Sequence, residues 1–376
     1  MNIGIICEYN PFSYGHLYHL NKIKEDFPNS NIVLVMSGNI CERGDISIID
    51  KFKKADIALH YGVDLVIELP IKYIQSADFF AKGAIEILNL FNCEKIVFGS
   101  ECNDINILTN IAKIQINNKE FDISVKKHME TGLNYPTALS KAIKDNLGYT
   151  IDTPNDLLGI SYIKEIIKNK YFIKPLCIKR TSDYNSKKIE GKITSSTSIR
   201  ELLKKRKSVK KYVPKYAYKY LDNPIFIDDY YDYLKYKIIS EDNLTKYNDV
   251  SLEMENRIKK YIINSNTIEE LISNVKSKRY TYNRIKRILT YILFSITKDN
   301  FKNLDLNYIR VLGFNKNGRK ILNEQKKRIS IPIVTNYEKD YLYLDYRINS
   351  ILSLNKKIIN KKEFIEKEYK NKPIIK

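Results

Sequence analysis

Ile3-Gly4-Ile5-Ile6-Cys7-Glu8-Tyr9-Asn10-Pro11-Phe12-Ser13-Tyr14-Gly15-His16-Leu17-Tyr18-His19-Leu20 opens the chain and decides its fold. The apolar run Ile3–Ile6 reads as a buried strand that breaks at Asn10-Pro11. Past Gly15-His16 the apolar spacing turns helical through Leu17, Leu20 and Ile23. A glycine and a histidine therefore sit where a first strand hands over to a first helix. In an open α/β sheet ligands bind at that edge, and a helix N-terminus there offers unpaired N–H groups to phosphate.

The same alternation continues. Strands are predicted at 31–36, 64–70 and 95–98, with helices at 50–61 and 77–90 between them. Apolar strands alternating with helices of this length imply a Rossmann-like, doubly wound parallel sheet whose strand ends share one edge. Residues 103–148 read as helical, 154–168 as a further helix and 175–179 as a strand ending at Arg180. Ser182–Gly191 reads as a polar loop. It leads into Ile193-Thr194-Ser195-Ser196-Thr197-Ser198-Ile199-Arg200 and another helix. Lys and Tyr with Pro214 and Pro224 mark a boundary, giving an α/β domain at 1–215 and a basic, mostly helical domain at 216–376. Helices are expected there at 229–240, 252–264, 267–276, 280–298 and 319–328, with short strands near 331–335 and 341–345.

The net charge is +20, and all of the excess lies beyond residue 150, because the first 150 residues are slightly acidic. Such asymmetry implies a polyanionic partner, and nucleic acid is the one expected. Lys276, Lys278, Arg279, Tyr280, Tyr282, Arg284, Lys286 and Arg287 interleave cations with aromatic rings, a mixture suited to RNA phosphates and unpaired bases. Arg319, Lys320, Lys326, Lys327 and Arg328 form a second cluster. No run of about eighteen apolar residues predicts a membrane span. The N-terminus has no signal-peptide pattern, so a cytoplasmic protein is expected. The five cysteines and four histidines show no zinc-type spacing and read as free thiols and ordinary side chains.

Two motifs carry chemistry. In Ser13-x-Gly15-His16 the helix start supplies N–H groups, Gly15 permits close approach, and His16 adds a donor for charge that builds on phosphate. In Ser195-Ser196-Thr197-x-Ile199-Arg200 hydroxyls and open N–H groups precede a helix whose Arg200 adds a cation. Arg43-Gly44-Asp45 is balanced between a substrate entrance and a loop salt bridge. Asp64 and Glu68, bracketing a strand, read as a cap or an ion pair.

These motifs, with Val35-Met36-Ser37-Gly38, Gly62–Pro70, Phe98-Gly99-Ser100-Glu101, Pro154-Asn155-Asp156, Lys179-Arg180, Lys278-Arg279-Tyr280-Thr281 and Val311-Leu312-Gly313-Phe314-x-x-x-Gly318-Arg319, resemble the nucleotidyltransferases with a [His/Thr]-x-Gly-His signature. Within them, the likeness is to the tRNA(Met) cytidine acetate ligases. The resemblance implies activation of acetate by ATP to acetyl-adenylate and pyrophosphate, then acetylation of N4 of the wobble cytidine (C34) in elongator tRNA(Met). It implies an ATP site built from Cys7–Leu20, Gly99, Asn155 and Arg180, joined by Ser195, Ser196 and Thr197. His16, Ser13 and Arg200 are the expected catalytic groups, and Mg²⁺ is expected to be held mainly by phosphates, without a protein cage. Lys278, Arg279, Tyr280, Arg284, Arg287 and Arg319 are the expected tRNA contacts; neither DNA nor a membrane is an expected partner. Family members carry His-Asn-Gly-His where this chain has Ser13-Tyr14-Gly15-His16.

Two other functions are compatible with the sequence. An adenylyl- or cytidylyltransferase acting on a small phosphate ester explains the motifs but leaves the basic half without a task. An RNA-binding protein with a degenerate nucleotide site explains the charge but not the Ser-Ser-Thr-x-Ile-Arg motif. A class I aminoacyl-tRNA synthetase is disfavoured, because no Lys-Met-Ser-Lys-Ser-like loop occurs.

Overall fold

The computed structural model describes residues 1–180 and 193–376; the expected loop at 182–191 lies outside the described residues. The chain runs β1 (Asn2–Cys7), α1 (Tyr14–Asp26), β2 (Asn31–Ser37), α2 (Lys51–His60), β3 (Leu65–Leu69), α3 (Ala77–Leu90) and β4 (Cys93–Ser100). Then follow α4 (Ile105–Asn117), α5 (Lys119–Glu130), α6 (Tyr135–Leu147), α7 (Pro154–Lys168), β5 (Lys174–Lys179) and α8 (Ser196–Lys204). The later part comprises α9 (Lys215–Tyr218), α10 (Tyr231–Ser240), α11 (Leu252–Ile262), α12 (Ile268–Val275), α13 (Tyr282–Leu293), β6 (Ile309–Phe314), α14 (Lys316–Gln325), β7 (Ile333–Val334), α15 (Lys339–Leu352), α16 (Lys361–Lys370) and β8 (Ile374–Ile375).

The strand order is β5-β4-β1-β2-β3-β6-β7, with β8 also on β6. The first five strands are all parallel, as their alternation with helices demands. Leu20 and Ile23 of α1 and Ala55 of α2 pack with Ile3, Ile5 and Leu34 on one face. Ala81 and Ala84 of α3 and Ile160 of α7 pack with Val33, Val35 and Phe98 on the other. The connections thus change face between β1 and its neighbour β4, which opens a crevice at their C-terminal ends.

The sheet crosses the expected boundary at 215. β6, from the second half, joins antiparallel to β3, pairing Leu65 with Phe314 and Glu68 with Arg310. Gly318 allows α14 to sit on the carbonyl of Asp64, which a Cβ would approach to 2.0 Å. Asp64 itself accepts from the Ile32 N–H (2.7 Å) and the Asn315 amide (2.8 Å), so it is a structural cap. Residues 341–345, expected as a strand, lie inside α15. Leu342, Asp345, Ile348, Asn349 and Leu352 form its buried face at helical spacing, but the polar members of that face hide the period.

A buried charge cluster ties the halves together. Lys51 Nζ lies 2.9 Å from Glu68, 3.0 Å from Asp345 and 2.9 Å from Glu368. Arg310 lies 2.6 Å from Glu368 and 3.4 Å from Glu68. Two cations against three carboxyls leave one negative charge too many. Burial, resisted by Lys51 but reinforced by Asp345, accordingly pushes the Glu68 carboxyl upward from its ordinary value.

Lys51→Met strands those carboxyls and is expected to lower stability by about 3–5 kcal/mol, read as a fall in the urea midpoint. Glu68→Gln is expected to be far milder. The proton on Glu68 favours the folded state in acid, and that contribution is lost as pH rises through the raised pKa. The Glu68→Gln variant should lack this part of the pH dependence of stability.

Candidate active site

A cleft of about 260 Å³ opens where β1 and β4 end. Its floor is Cys7–Asn10 and Gly99, and two helices start at its rim, α1 after Ser13 and α8 after Ser195. Of the residues expected from sequence, Cys7, Glu8, Tyr9, Asn10, Ser13, Gly15, His16, Tyr18, His19, Gly99, Asn155, Arg180, Ser195, Ser196, Thr197 and Arg200 all line it. Pro11, Phe12, Tyr14, Leu17 and Leu20 do not. Phe12 and Leu20 are fully buried core residues, and the Tyr14 N–H donates to the Tyr212 carbonyl instead.

His16 is fixed by its own helix start. The Ser13 N–H donates to His16 Nδ1 (3.0 Å), and Ser13 Oγ lies 3.2 Å from the same nitrogen. Nδ1 must therefore be unprotonated, which leaves Nε2–H as the donor of the neutral ring. Burial, followed by the charges of Arg180 and His19, pushes the imidazole down to about 3. His16 is thus a neutral hydrogen-bond donor at physiological pH, not an acid. His19 is held down to about 4 by burial and Arg180.

On the far rim, Ser195 Oγ caps α8 by accepting from the Ser198 N–H (3.1 Å), and Ser196 Oγ donates to the Pro11 carbonyl (3.1 Å). Arg200 donates to the Asn10 carbonyl (2.6 Å) and Thr197 Oγ1 (3.2 Å) and sits 3.6 Å from Asp45. It clasps α8 to the first loop. At the end of β4, Asp156 accepts from Ser100 Oγ and from the N–H groups of Glu101 (3.1 Å) and Cys102 (3.0 Å). Asn155 donates to the Glu101 carboxylate, and Arg180 Nε lies 3.2 Å from it without hydrogen-bond alignment. Tyr9 Oη, His19 Nε2 and Arg180 Nε are buried without a hydrogen-bond partner, and all three residues line the cleft. Buried polar atoms of this kind are ones that a bound ligand or water can satisfy.

The profile of the HIGH nucleotidyl transferases matches residues 1–368. A tRNA(Met) cytidine acetate ligase of Clostridium novyi is 41% identical, covering 100% of this chain and 99% of that protein. Another, of Mycoplasmopsis pulmonis, is 43% identical over 79% of this chain and 99% of its own length. This chain belongs to the tRNA(Met) cytidine acetate ligase family. Among solved structures it is similar to Thermotoga maritima TmcAL, with a TM-score of 0.91 at 29% identity over 100% of this chain and 99% of that one. The same protein bound with alpha-thio ATP gives a TM-score of 0.87.

In this family member the tertiary structure adds Phe80, Tyr162 and Glu42, which the motifs did not single out, to motif residues such as Phe98, Arg43 and Lys179. Phe80, Phe98, Leu158 and Tyr162 form an apolar wall of the cleft, and Glu42, Arg43 and Lys179 also line it. Beneath it, the fully buried Lys54 donates to the carbonyls of Glu8 (2.9 Å), Ser37 (2.8 Å) and Gly38 (2.8 Å) and to Ser47 Oγ (2.8 Å). A signal existed: Lys51 and Lys54 fall on the buried stripe of α2 with Ala55 and Ala58.

The basic cluster of α13 is largely engaged inside the molecule. Arg287 donates to the carbonyl and carboxylate of Glu42 (3.2 Å each), Lys286 pairs with Asp45 (3.0 Å), and Thr290 Oγ1 donates to the Gly44 carbonyl (2.7 Å). Gly44, at φ +75°, lets that loop lie against the helix backbone. Arg43-Gly44-Asp45 is thus a docked loop. Arg284 makes a fork to Asp249 (2.9 and 2.6 Å). Tyr280, expected to stack on a base, is buried, with its hydroxyl 3.2 Å from Glu253. Lys278, Arg279 and Arg319 are exposed.

Nitrogen-15 NMR of labelled protein is expected to show His16 as the neutral Nε2–H tautomer from pH 8 down to about pH 5, well below an ordinary histidine midpoint. A midpoint near 6.5 would contradict the buried, neutral state of His16, and a proton on Nδ1 of the neutral ring would contradict the tautomer.

Proposed function

We propose that this chain activates acetate with ATP and transfers the acetyl group to N4 of the wobble cytidine of elongator tRNA(Met). The observation that carries the reading is the convergence of two helix N-termini and the His16 Nε2–H donor on one cleft, in a chain of this family. The proposed ATP contacts are the cleft-lining members of Cys7–Leu20 with Gly99, Asn155, Arg180, Ser195, Ser196 and Thr197.

In the first step an acetate oxygen attacks the α-phosphorus, the bond to the bridging oxygen breaks, and pyrophosphate leaves. Negative charge grows on the phosphate oxygens. The starts of α1 and α8 and the neutral His16 donor meet it without moving a proton. Ser13 stands where relatives carry histidine. Its role is to hold His16 through Nδ1, and Arg200 holds α8 in place while adding its charge. The carboxylates on the cleft wall are engaged: Glu8 accepts from the Glu42 N–H (2.8 Å), and Glu42 pairs with Arg287. The fit for Mg²⁺ is therefore on the phosphates of ATP, where it would neutralise the leaving group.

In the second step the cytidine amine attacks the acetyl carbonyl and AMP leaves. An aromatic amine is a weak nucleophile, so orientation in the cleft supplies much of the rate. The base reaches the cleft flipped from its loop. Lys278, Arg279 and Arg319, exposed on the basic half, are the proposed phosphate contacts, with Arg284 and Arg287 organising the surface. The proposed compartment is the cytoplasm, where tRNA and ATP occur together; among the described residues no helix is long and apolar enough to cross a membrane.

The test is an incubation with ATP, radiolabelled acetate and tRNA(Met), omitting each in turn. Acetate-dependent ATP–pyrophosphate exchange and labelled tRNA are expected. Absence of both sinks the ligase reading, and exchange with a phosphate ester in place of acetate would favour the transferase alternative. His16→Ala is expected to lower the exchange rate by about 10²- to 10³-fold, as loss of one preorganised donor does elsewhere.

A further inference from the structure

A second cavity, of about 370 Å³, opens beside the first between the starts of α3, α6 and α13. Arg279, Arg284 and Arg287 line it together with Asp249, and each guanidinium stands against a carboxylate, of Glu253, Asp249 and Glu42 in turn. Arg284 and Arg287 are held in place by Asp249 and Glu42, while Arg279 keeps 75% of its side chain exposed, its guanidinium 3.5 Å from Glu253. The N-caps of the three helices, Ser76, Asn134 and Thr281, also lie on the wall, so three positive helix ends add to the arginines. A tyrosine ring completes it: Tyr135, at the first position of α6, is 46% exposed. Arginines, an exposed aromatic face and side-chain amides together are the chemistry that recognises an unpaired nucleotide.

The cavity neighbours the cleft across one ion pair: Glu42 lines the cleft and accepts from the guanidinium of Arg287, which lines the cavity, and Phe80 lines the cleft while its neighbour Phe79 lines the cavity.

We propose that this cavity takes one unpaired RNA nucleotide adjoining the base in the cleft, its base stacked on Tyr135 and its phosphate on the exposed Arg279. This rests on the tRNA reading above. It moves the stacking role from the buried Tyr280 to a residue of the first half of the chain. The sequence gives no hint of Tyr135, because it lies far from the basic clusters.

The test measures tRNA(Met) affinity and acetate-dependent ATP–pyrophosphate exchange side by side, since exchange involves no RNA. Tyr135→Ala is expected to weaken tRNA binding about tenfold, the scale of one lost base–aromatic stack. Tyr135→Phe keeps the ring and should bind as wild type. Arg279→Ala should reduce the slope of log affinity against log salt by about one. Exchange should stay at the wild-type rate in both Tyr135 variants. Tyr135→Ala binding tRNA as wild type overturns the proposal, as does equal loss in Tyr135→Phe, or loss of exchange together with binding. Cytidine monophosphate competing at concentrations similar to tRNA would show a site for free nucleotides and overturn the assignment to an RNA strand. Wild-type tRNA affinity in Tyr135→Ala overturns the cavity alone; wild-type protein that exchanges with acetate but binds no tRNA overturns the transfer to tRNA with it, and protein that does neither overturns the ligase reading as well.

Discussion

An ammonium group in a protein interior is tolerated only when its protons meet oxygens, and α2 carries two such groups one helical turn apart. Lys54 gathers the carbonyls at the ends of β1 and β2, and Lys51 gathers three carboxyls from β3, α15 and α16. The first interaction sets the floor of the cleft; the second anchors the later half of the chain to the same helix. Neither lysine can turn outward without leaving its partners buried and unmatched. The geometry of the nucleotide cleft and the placement of the basic half are thus coupled through a single element.

The cleft itself shows how little movable chemistry the proposed reaction requires. Its donors are helix ends and a neutral imidazole fixed by backbone, all set before substrate arrives. Removing His16 from the titrating range makes that donor independent of pH, which suits charge stabilisation better than proton transfer. Replacing histidine with Ser13 at the loop's first signature position is compatible with this. The backbone N–H of Ser13 holds Nδ1, and any residue supplies that group.

The basic second half serves two purposes that a charge count does not separate. Part of α13 faces inward and fastens the loop Cys41–Ile46 beside the cleft through Arg287, Lys286 and Thr290. The remainder, with Arg279 and Arg319, faces solvent. A cation's sequence neighbourhood was the same in both cases; only the acidic residues brought opposite it from the first half tell them apart.

The sequence by itself determined β1 to β5, the helices between them and the switch point where ligands bind, because strong local periodicities and short connections leave a parallel sheet few alternatives. It also identified most of the cleft, since the motif residues stand at helix starts and strand ends. Tertiary structure alone decided the rest. β6 pairs with β3 across some 240 positions of chain, and no local pattern predicts such a partner. The helix at 339–352 presents Asp345 and Asn349 inward to meet Lys51 and Asn39, so its apolar period was broken by the contacts that stabilise it. Tyr280 went into the core and Tyr135 to the surface for the same reason. Whether a side chain is buried depends on what the distant chain places over it, and that is settled only when the fold is complete.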